Sequence, residues 1–214
     1  MNNTNRWRWP QSTDASVDSA SFRAKPQHFV VTEHLSFQPS GDGEHCFLFV
    51  EKIGANTSWV AEQLAKHFNI KPFAVGYAGL KDRHAVTRQW FSVHIPGQQN
   101  PVELFNGEGY SVLQIERHNK KLKHGAVKFN QFKLLLTNIS GEPVSVEQQL
   151  NLIKQQGYPN YFGAQRFGRQ GSNLDNAVAM LKGEKRVRKN KKSIYLSALR
   201  SWFFNQFLAE RIEQ

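Results

Sequence analysis

The chain has 214 residues, 39% of them hydrophobic, and 28 Lys and Arg outweigh 17 Asp and Glu to give a net charge of +11. This length suits one large domain or two small ones. The single cysteine, Cys46, excludes an internal disulfide and a cysteine-based zinc site, which predicts a reducing compartment, the cytoplasm. The sequence has no apolar run long enough to cross a membrane. Its polar start predicts a disordered leader over residues 1–20 and no secretory signal.

The positive charge is the first indication of function. Together with five Trp and sixteen Phe, it predicts a nucleic acid as the partner. The excess is concentrated in two clusters: residues 117–133, which contain no acidic residue, and residues 182–192, which contain only Glu184. Two solvated loops are the alternative explanation. Two nearly pure basic clusters in one chain favour a phosphate-binding track over that alternative.

The first half of the chain combines predicted strands with one helix. A strand after Pro26 and a second strand at Cys46 are predicted to pair as a hairpin around a turn at residues 41–45. The segment 56–69 is predicted to form an amphipathic helix, because apolar residues recur at a spacing of four at Val60, Leu64 and Phe68. Alternating apolar residues predict further strands within residues 88–97, 110–116 and 126–139.

The last part of the chain is predicted to be mainly helical. Ser145 and Gln148 have the spacing of a capping box, and the helix they open is predicted to end at Gly157. Residues 157–177 are rich in Gly, Arg and aromatic residues, which indicates a junction or a binding loop. The final helix is predicted to bury an apolar stripe of Leu196, Leu199, Phe203 and Phe207. Strands and helices mix without a regular alternation, so the predicted fold class is α+β.

Four polar residues, Lys81 to His84, stand between two segments with the character of a core. Charges near a core are costly unless they are paired or used. The cations beside Asp82 favour the ionised form of its carboxylate, which can then act as a nucleophile or a base. An ion pair that caps a turn is the structural alternative, and local chemistry alone favours it.

A second pair of candidates lies near the first basic cluster. Asn130 and Phe132 are two positions apart on a predicted strand, so their side chains share a face. An amide and an aromatic ring can hold a nucleobase, one by hydrogen bonds and the other by stacking. A core role for Phe132 is the alternative. The sequence contains no Walker loop, no paired histidine motif for a metal and no Gly-x-Ser-x-Gly motif.

Three long blocks, "AGLKDRHAVTRQWF", "KLKHGAVKFNQF" and "PNYFGAQRFGRQGSNL", resemble the signature blocks of the TruD family of tRNA pseudouridine synthases. "HFVVTEHL" and "GDGEHCFLFVEKIGANTSWVAEQLAKHF" are similar to the family's N-terminal region. The resemblance covers the chain from Phe22 onward. It implies an isomerase that converts a uridine of tRNA, at position 13 in the bacterial members, to pseudouridine without a metal or another cofactor. The implied fold is the mixed, largely antiparallel sheet of the pseudouridine synthases with flanking helices.

The resemblance also assigns roles to residues. It implies that Asp82 is the catalytic residue and that the substrate base is bound by Phe29, Asn130 and Phe132. His28 stands where the family has Asp. The residues predicted to contact RNA are Lys81, Arg83, Lys120, Lys121, Lys123, Arg166 and Arg169. For Lys81 and Arg83 two roles stay open, since each can either hold the carboxylate ionised or bind phosphate.

The same resemblance predicts the domain organisation. Residues 21–157 are expected to be the N-terminal part of the catalytic domain, and residues 158–214 the start of an inserted, family-specific domain. The chain is expected to be a monomeric enzyme, or the N-terminal part of one, that acts on tRNA. One alternative is a truncated, inactive fragment that still binds tRNA. The other is a general basic RNA-binding protein in which Asp82 only caps a turn.

Overall fold

The structure, a computed structural model, describes residues 8–12, 17 and 19–214. The chain divides into two compact units. Residues 19–140 form the first, called here the sheet unit. Residues 141–214, together with the described residues up to 17, form the second, called the helical unit. The α+β class predicted from the sequence is confirmed.

The sheet unit is built on one mixed sheet. Its elements in chain order are β1 (Ser19–Ser21), β2 (Phe29–Leu35), β3 (His45–Ile53), α1 (Thr57–His67), β4 (Val75–Tyr77), β5 (Val86–His94), β6 (Asn106–Gly107), β7 (Tyr110–His118), β8 (Val127–Leu134) and β9 (Thr137–Ser140). Seven strands join in the order β6-β7-β3-β5-β2-β8, with β4 paired to β5. Strands β2 and β5 run parallel, and the other described pairs of this sheet are antiparallel. Strands β1 and β9 pair separately.

The core of this unit lies between α1 and one face of the sheet, called here the helix face. Cys46, Leu48 and Val50 alternate along β3 and pack with Val60 and Leu64 of α1. The same cluster contains Phe91, Val93 and Ile95, as the alternation in the sequence predicted. The opposite face carries a smaller cluster that includes Phe47, Ala78 and Leu122.

The predicted hairpin between the first two long strands is wrong. Strand β2 pairs with β5 and β8, while β3 pairs with β5 and β7. The connection closes no tight turn, because Gly41 N donates to Arg117 O at the end of β7. Gly43 continues this contact with a φ of +106°, where an added Cβ would lie 2.6 Å from His118 O. The connection therefore packs on β7. Strand β5 pairs with β3 in the position that the predicted hairpin gives to β2.

The helical unit contains α2 (Pro143–Gln156), α3 (Ser172–Leu181) and α4 (Lys189–Glu213). Helix α2 ends at Gly157, as predicted, with a φ of +80°. The predicted capping box is wrong: the helix begins at Pro143, whose fixed φ suits a first helical position, so Ser145 lies inside it. The predicted stripe of α4 is wrong at Phe203 and Phe207, which are exposed.

Small and polar residues form the buried side of α4 instead. Ala198 packs with Phe167 and Leu174, and Asn205 is fully buried. The Asn205 amide accepts from Phe162 N and donates to Phe162 O, both at 2.9 Å. Short side chains on this side of the helix allow the loop around Phe162 to approach closely, which an apolar pattern does not reveal.

The two units meet in sequence between Ser140 and Gly141, before α2, whereas the sequence predicted a boundary after Gly157. The identity of these units as a catalytic and an inserted domain stays a prediction. Of the predicted leader, residues 1–7, 13–16 and 18 lie outside the described residues. Where it is described, Trp9 stacks on Tyr161 with ring centroids 5.5 Å apart, and Ser19 and Ala20 belong to β1. Among the described residues, no helix is both long and apolar enough to cross a membrane.

Candidate active site around Asp82

The loop between β4 and β5 presents the Asp82 carboxylate to solvent. Its side chain is 47% exposed, and Oδ2 accepts a hydrogen bond from Arg23 Nη2 at 3.2 Å. The same guanidinium lies over the Phe29 ring, with Cζ 3.6 Å from the ring centroid. Asp82 therefore has a cationic partner and an open side from which a substrate can reach it.

Phe29 connects this ion pair to strand β8. Its ring centroid lies 5.9 Å from that of Phe132, and the two rings are tilted by 41°. Phe29 is buried, but Phe132 is 57% exposed and offers a free ring surface. Val31 pairs with Phe132 and Glu33 with Asn130, so the side chains of Phe132 and Asn130 share one face of the sheet with that of Phe29. The register from β3 through β5 to β2 identifies this face as the helix face.

Lys81 lies beneath the loop. Its side chain is 9% exposed, and Nζ lies 2.5 Å from Oε2 of Glu33, which is fully buried. The other oxygen of Glu33 accepts from Trp90 N at 3.2 Å, just past the last parallel pair of β2 and β5. Lys81 was predicted to contact RNA, but a buried, paired ammonium favours a structural role under Asp82.

Two further buried groups hold the backbone of the loop. Thr57 Oγ1 accepts from Lys81 N at 3.0 Å and donates to Gln89 Oε1 at 2.9 Å. Gln89 Nε2 in turn donates to Gly79 O at 3.2 Å. Buried polar groups require partners, and here the partners belong to the loop that carries Asp82.

Arg83 points to the far side of the loop. Its Nε donates to Gly54 O at 2.8 Å, and Gly54 N donates back to Arg83 O at 3.1 Å. The exposed guanidinium borders an open cleft of about 490 Å³ that is also lined by Asn56, Trp59 and Glu108. Arg83 thus remains a candidate for an RNA contact beside the loop.

The other residues predicted to contact RNA lie in two further parts of the chain. Lys120, Lys121 and Lys123 flank Leu122, which packs with Phe47 on the opposite face of the sheet. Arg166 and Arg169 belong to the helical unit. There, Arg166 donates to the hydroxyl oxygens of Ser197 and Ser201.

Three charged residues of the site were missed by the sequence reasoning: Arg23, Glu33 and Lys52, whose Nζ donates to Asp82 O at 2.8 Å. For Glu33 and Lys52 a signal exists. Each continues an apolar alternation, Phe29-Val31-Glu33 and Leu48-Val50-Lys52, and so places a charge on a buried face. Such a charge requires a partner. Arg23 has no comparable signal, because its charged partner, Asp82, lies 59 positions away in the chain.

Within the described part of the chain, no group of three or more His, Cys, Asp or Glu side chains is arranged to hold a metal ion. Cys46 is buried, and burial raises the pKa of its thiol to about 11. This cysteine is therefore a core residue and a poor nucleophile.

The sheet, with an aspartate loop above its helix face, has the fold of a known class of RNA-modifying enzymes. A crystal structure described as tRNA pseudouridine synthase D (TruD) from Methanosarcina mazei matches with a TM-score of 0.67 at 21% identity, covering 90% of this chain and 50% of that one. This match shows the pseudouridine synthase fold.

Sequence comparison then gives the family. The family model described as tRNA pseudouridine synthase D (TruD) matches residues 12–184. A relative of that name from Aeromonas hydrophila is 48% identical over 193 residues, which are 90% of this chain and 54% of the relative. Another, from Cellvibrio japonicus, is 44% identical over 212 residues, 96% of this chain and 63% of the relative. The chain belongs to the TruD family, as the three blocks predicted, and it spans between half and two thirds of these relatives.

Proposed function

We propose that this chain catalyses the isomerisation of a uridine in tRNA, at position 13, to pseudouridine, with Asp82 as the catalytic residue. One observation carries the proposal. The half-exposed Asp82 carboxylate pairs with Arg23, and Arg23, Phe29 and Phe132 follow it in one continuous series of contacts. Asn130, which shares the face of Phe132, adds an exposed amide beside the ring. Membership of the TruD family supports the reaction.

The reaction itself explains why such a simple site can suffice. The bond from the ribose C1′ to N1 of uracil breaks and a bond from C1′ to C5 forms, while C5 loses a proton and N1 gains one. Nothing is oxidised or hydrolysed, so the chemistry requires no redox partner. An ionised carboxylate can attack C1′, as in retaining glycosidases, or remove a proton from the sugar.

The neighbours of Asp82 have matching roles in this proposal. The uridine must leave the RNA stack before it reaches the carboxylate. The exposed ring of Phe132 offers a stacking surface, and the Asn130 amide offers hydrogen bonds to the base edge. Phe29 supports Phe132 from below, and Arg23 keeps a positive charge at the carboxylate.

The test is pseudouridine mapping on an unmodified tRNA incubated with the chain. The wild-type chain is expected to modify position 13, whereas Asp82→Asn is expected to lose several orders of magnitude in rate, roughly 5 kcal/mol or more in the barrier. The matched control is Asp42→Asn, which changes an exposed aspartate in the β2–β3 connection. Turnover of Asp82→Asn above about a tenth of the wild-type rate would contradict the assignment.

Binding of tRNA without turnover is the second candidate. It is favoured by β8, which pairs only with β2 among the described strands and leaves Asn130 and Phe132 open on the other side. A base held from one side only is bound less precisely than catalysis requires. Tight tRNA binding by the wild-type chain with no pseudouridine formed would select this candidate.

The remaining proposals follow from the first. Residues 19–140 carry the proposed site and are proposed to be the catalytic unit. The partner is tRNA, and the basic surface residues Lys120, Lys123 and Arg169 are proposed to contact its phosphates. The monomeric state and the cytoplasmic location stay predictions from the sequence.

A further inference from the structure

Lys52 is a lysine without access to solvent. It lies near the end of β3, where the alternation that buries Leu48 and Val50 also directs its side chain to the helix face, and it is 0% exposed. Lysine is almost never fully buried unless its ammonium is paired, because the loss of hydration is costly. A lysine in such a position requires hydrogen-bond acceptors for its ammonium group.

The partners of Lys52 are backbone carbonyls of two loops. Its Nζ donates to Asp82 O at 2.8 Å and to Ala55 O at 2.9 Å, and Lys81 O lies at 3.5 Å. An ammonium has three N–H donors, so the group is matched to this set of acceptors. Lys52 thus joins the loop before α1 to the peptide of Asp82 itself.

The contact reaches closer to the proposed chemistry than the other buried groups do. Thr57, Gln89 and Glu33 act on Lys81 or Gly79, one or more residues before Asp82. Arg23 contacts the carboxylate, which is exposed and turns on single bonds. Lys52 fixes the carbonyl of the same residue, and with it the direction in which the Asp82 side chain leaves the backbone.

We propose that Lys52 is a positioning residue for the reaction of Asp82. The proposal rests on the proposed function of Asp82. A nucleophile or base acts only from a narrow range of distances and angles, and a displacement of about 1 Å can lower the rate about 100-fold. By holding the Asp82 peptide from below, Lys52 keeps the carboxylate at a constant height above the sheet while its upper side stays open to the substrate.

If Lys52 positions Asp82, the reaction rate is expected to depend on the charge state of Lys52. Burial lowers the pKa of Lys52 to about 8; Asp82 acts against this shift and Lys81, itself paired with Glu33, adds to it. The ammonium satisfies three acceptors, whereas the neutral amine has two donors and turns a lone pair toward the third. Positioning is therefore expected to weaken as the pH rises through about 8.

The experiment compares Lys52→Met, Lys52→Arg and a control, Lys66→Met, which removes an exposed lysine from α1. Rates of pseudouridine formation give kcat and KM, and hydrogen exchange reports the backbone of residues 79–84. For Lys52→Met we expect kcat to fall about 100-fold with KM within about threefold of wild type. Exchange in the loop is expected to rise about tenfold, and Lys66→Met to match wild type in both measurements.

The arginine variant separates positioning from mere stability. Arg keeps its charge at any accessible pH, so Lys52→Arg is expected to recover part of kcat and to lose the decline above about pH 8 that the wild type shows. If Lys52→Met kept kcat within about threefold of wild type, or if its loop exchanged like that of Lys66→Met, the positioning role would be overturned.

Asp82→Asn, measured in parallel, keeps this failure distinct from a failure of the proposed function. Loss of turnover in Asp82→Asn with normal turnover in Lys52→Met would overturn the positioning role alone. Normal turnover in Asp82→Asn would overturn the function of Asp82, and the role of Lys52 with it. The hydrogen-exchange comparison requires no turnover, so it decides whether Lys52 holds the loop in every case.

Discussion

Arg23 and Asp82, 59 positions apart in the chain, form an ion pair with Nη2 and Oδ2 3.2 Å apart. Arg23 has a φ of +58°, in the left-handed region that residues other than glycine rarely adopt. Such a conformation costs about 1–3 kcal/mol and persists only where surrounding contacts determine it. Here the contacts are the Phe29 ring on one side and the Asp82 carboxylate on the other.

The Arg23–Asp82 pair is expected to matter for turnover and little for folding. Its side chains are 35% and 47% exposed, so the pair contributes about 0–1 kcal/mol to the free energy of unfolding. We predict that Arg23→Gln lowers kcat by about 10- to 100-fold, because the carboxylate loses the guanidinium that orients it. Pseudouridine mapping and urea unfolding of the same preparation measure the two effects.

Arg23→Lys is the matched control, since it keeps the charge but lacks the planar group that lies over Phe29. Its kcat is expected to lie between that of Arg23→Gln and that of the wild type. A large loss of stability in Arg23→Gln, with kcat unchanged, would reverse this assignment and make the pair structural.

The Glu33–Lys81 pair, in contrast, is expected to matter mainly for the stability of the fold. It is buried, so we predict that Glu33→Gln destabilises the fold by about 3–5 kcal/mol, because the ammonium of Lys81 loses its counter-charge. Glu33→Gln combined with Lys81→Met is expected to recover most of the loss, since no unpaired charge then remains. Urea unfolding monitored by circular dichroism measures both changes.

The chain offers a matched control in Glu51. It pairs with Arg88 at 2.8 Å, but these side chains are 25% and 41% exposed. Glu51→Gln is therefore expected to cost only about 0–1 kcal/mol. Equal destabilisation by Glu33→Gln and Glu51→Gln would show that burial of the first pair has no energetic consequence.

The sequence predicted those parts of the fold that depend on local pattern. The alternation of Phe91, Val93 and Ile95 and the spacing of Val60 and Leu64 both correspond to buried residues of one core. Long signature blocks also predicted the family. In each case the information lies within a few adjacent residues or in an extended ordered match.

Local patterns did not predict the strand pairing or the residues that hold the Asp82 loop. Strand β5 lies between β2 and β3, and this order joins segments far apart in the chain, which no local spacing encodes. Arg23 joins Asp82 only through the three-dimensional fold. Lys81 illustrates the same limit: a lysine in a basic protein suggests RNA, and only the fold shows that its ammonium pairs with the buried Glu33.

The pH dependence of stability is predicted from His45. Cross-strand register places it directly between His94 and His118, and its ring lies 4.7 Å from that of His94. Burial is the main cause that lowers the pKa of His45 below 6.5; His94, Lys121 and His118 lower it further, while Glu44 acts in the opposite direction. Below about pH 6.5 the unfolded chain then binds a proton that the folded chain does not, so stability falls with the pH.

Urea unfolding at about pH 7.5 and about pH 5.5 checks this prediction. His45→Gln removes the titrating ring and is expected to lose less stability between the two pH values than the wild type. His124→Gln, which changes an exposed histidine, is expected to decline like the wild type. An equal decline in His45→Gln and wild type would mean that His45 takes up its proton without cost in the folded chain.

The last prediction concerns the lysines at residues 120–123, in the first basic cluster, which are expected to contact phosphate without reading sequence. Lys120 and Lys123 are exposed, whereas Lys121 donates to Phe73 O and is left unchanged. Lys120→Gln with Lys123→Gln should weaken binding to any tRNA and lower the slope of log affinity against log salt by roughly 0.7–0.9 per lost phosphate contact. The control, Lys66→Gln with Lys71→Gln, removes the same charge outside the cluster and should change the slope less.

Because Leu122 places these lysines on the opposite sheet face from Phe132, their loss should raise KM for tRNA while kcat stays constant. Titrations at several salt concentrations that give the same slope for the double variant and the wild type would make the cluster a solvated loop.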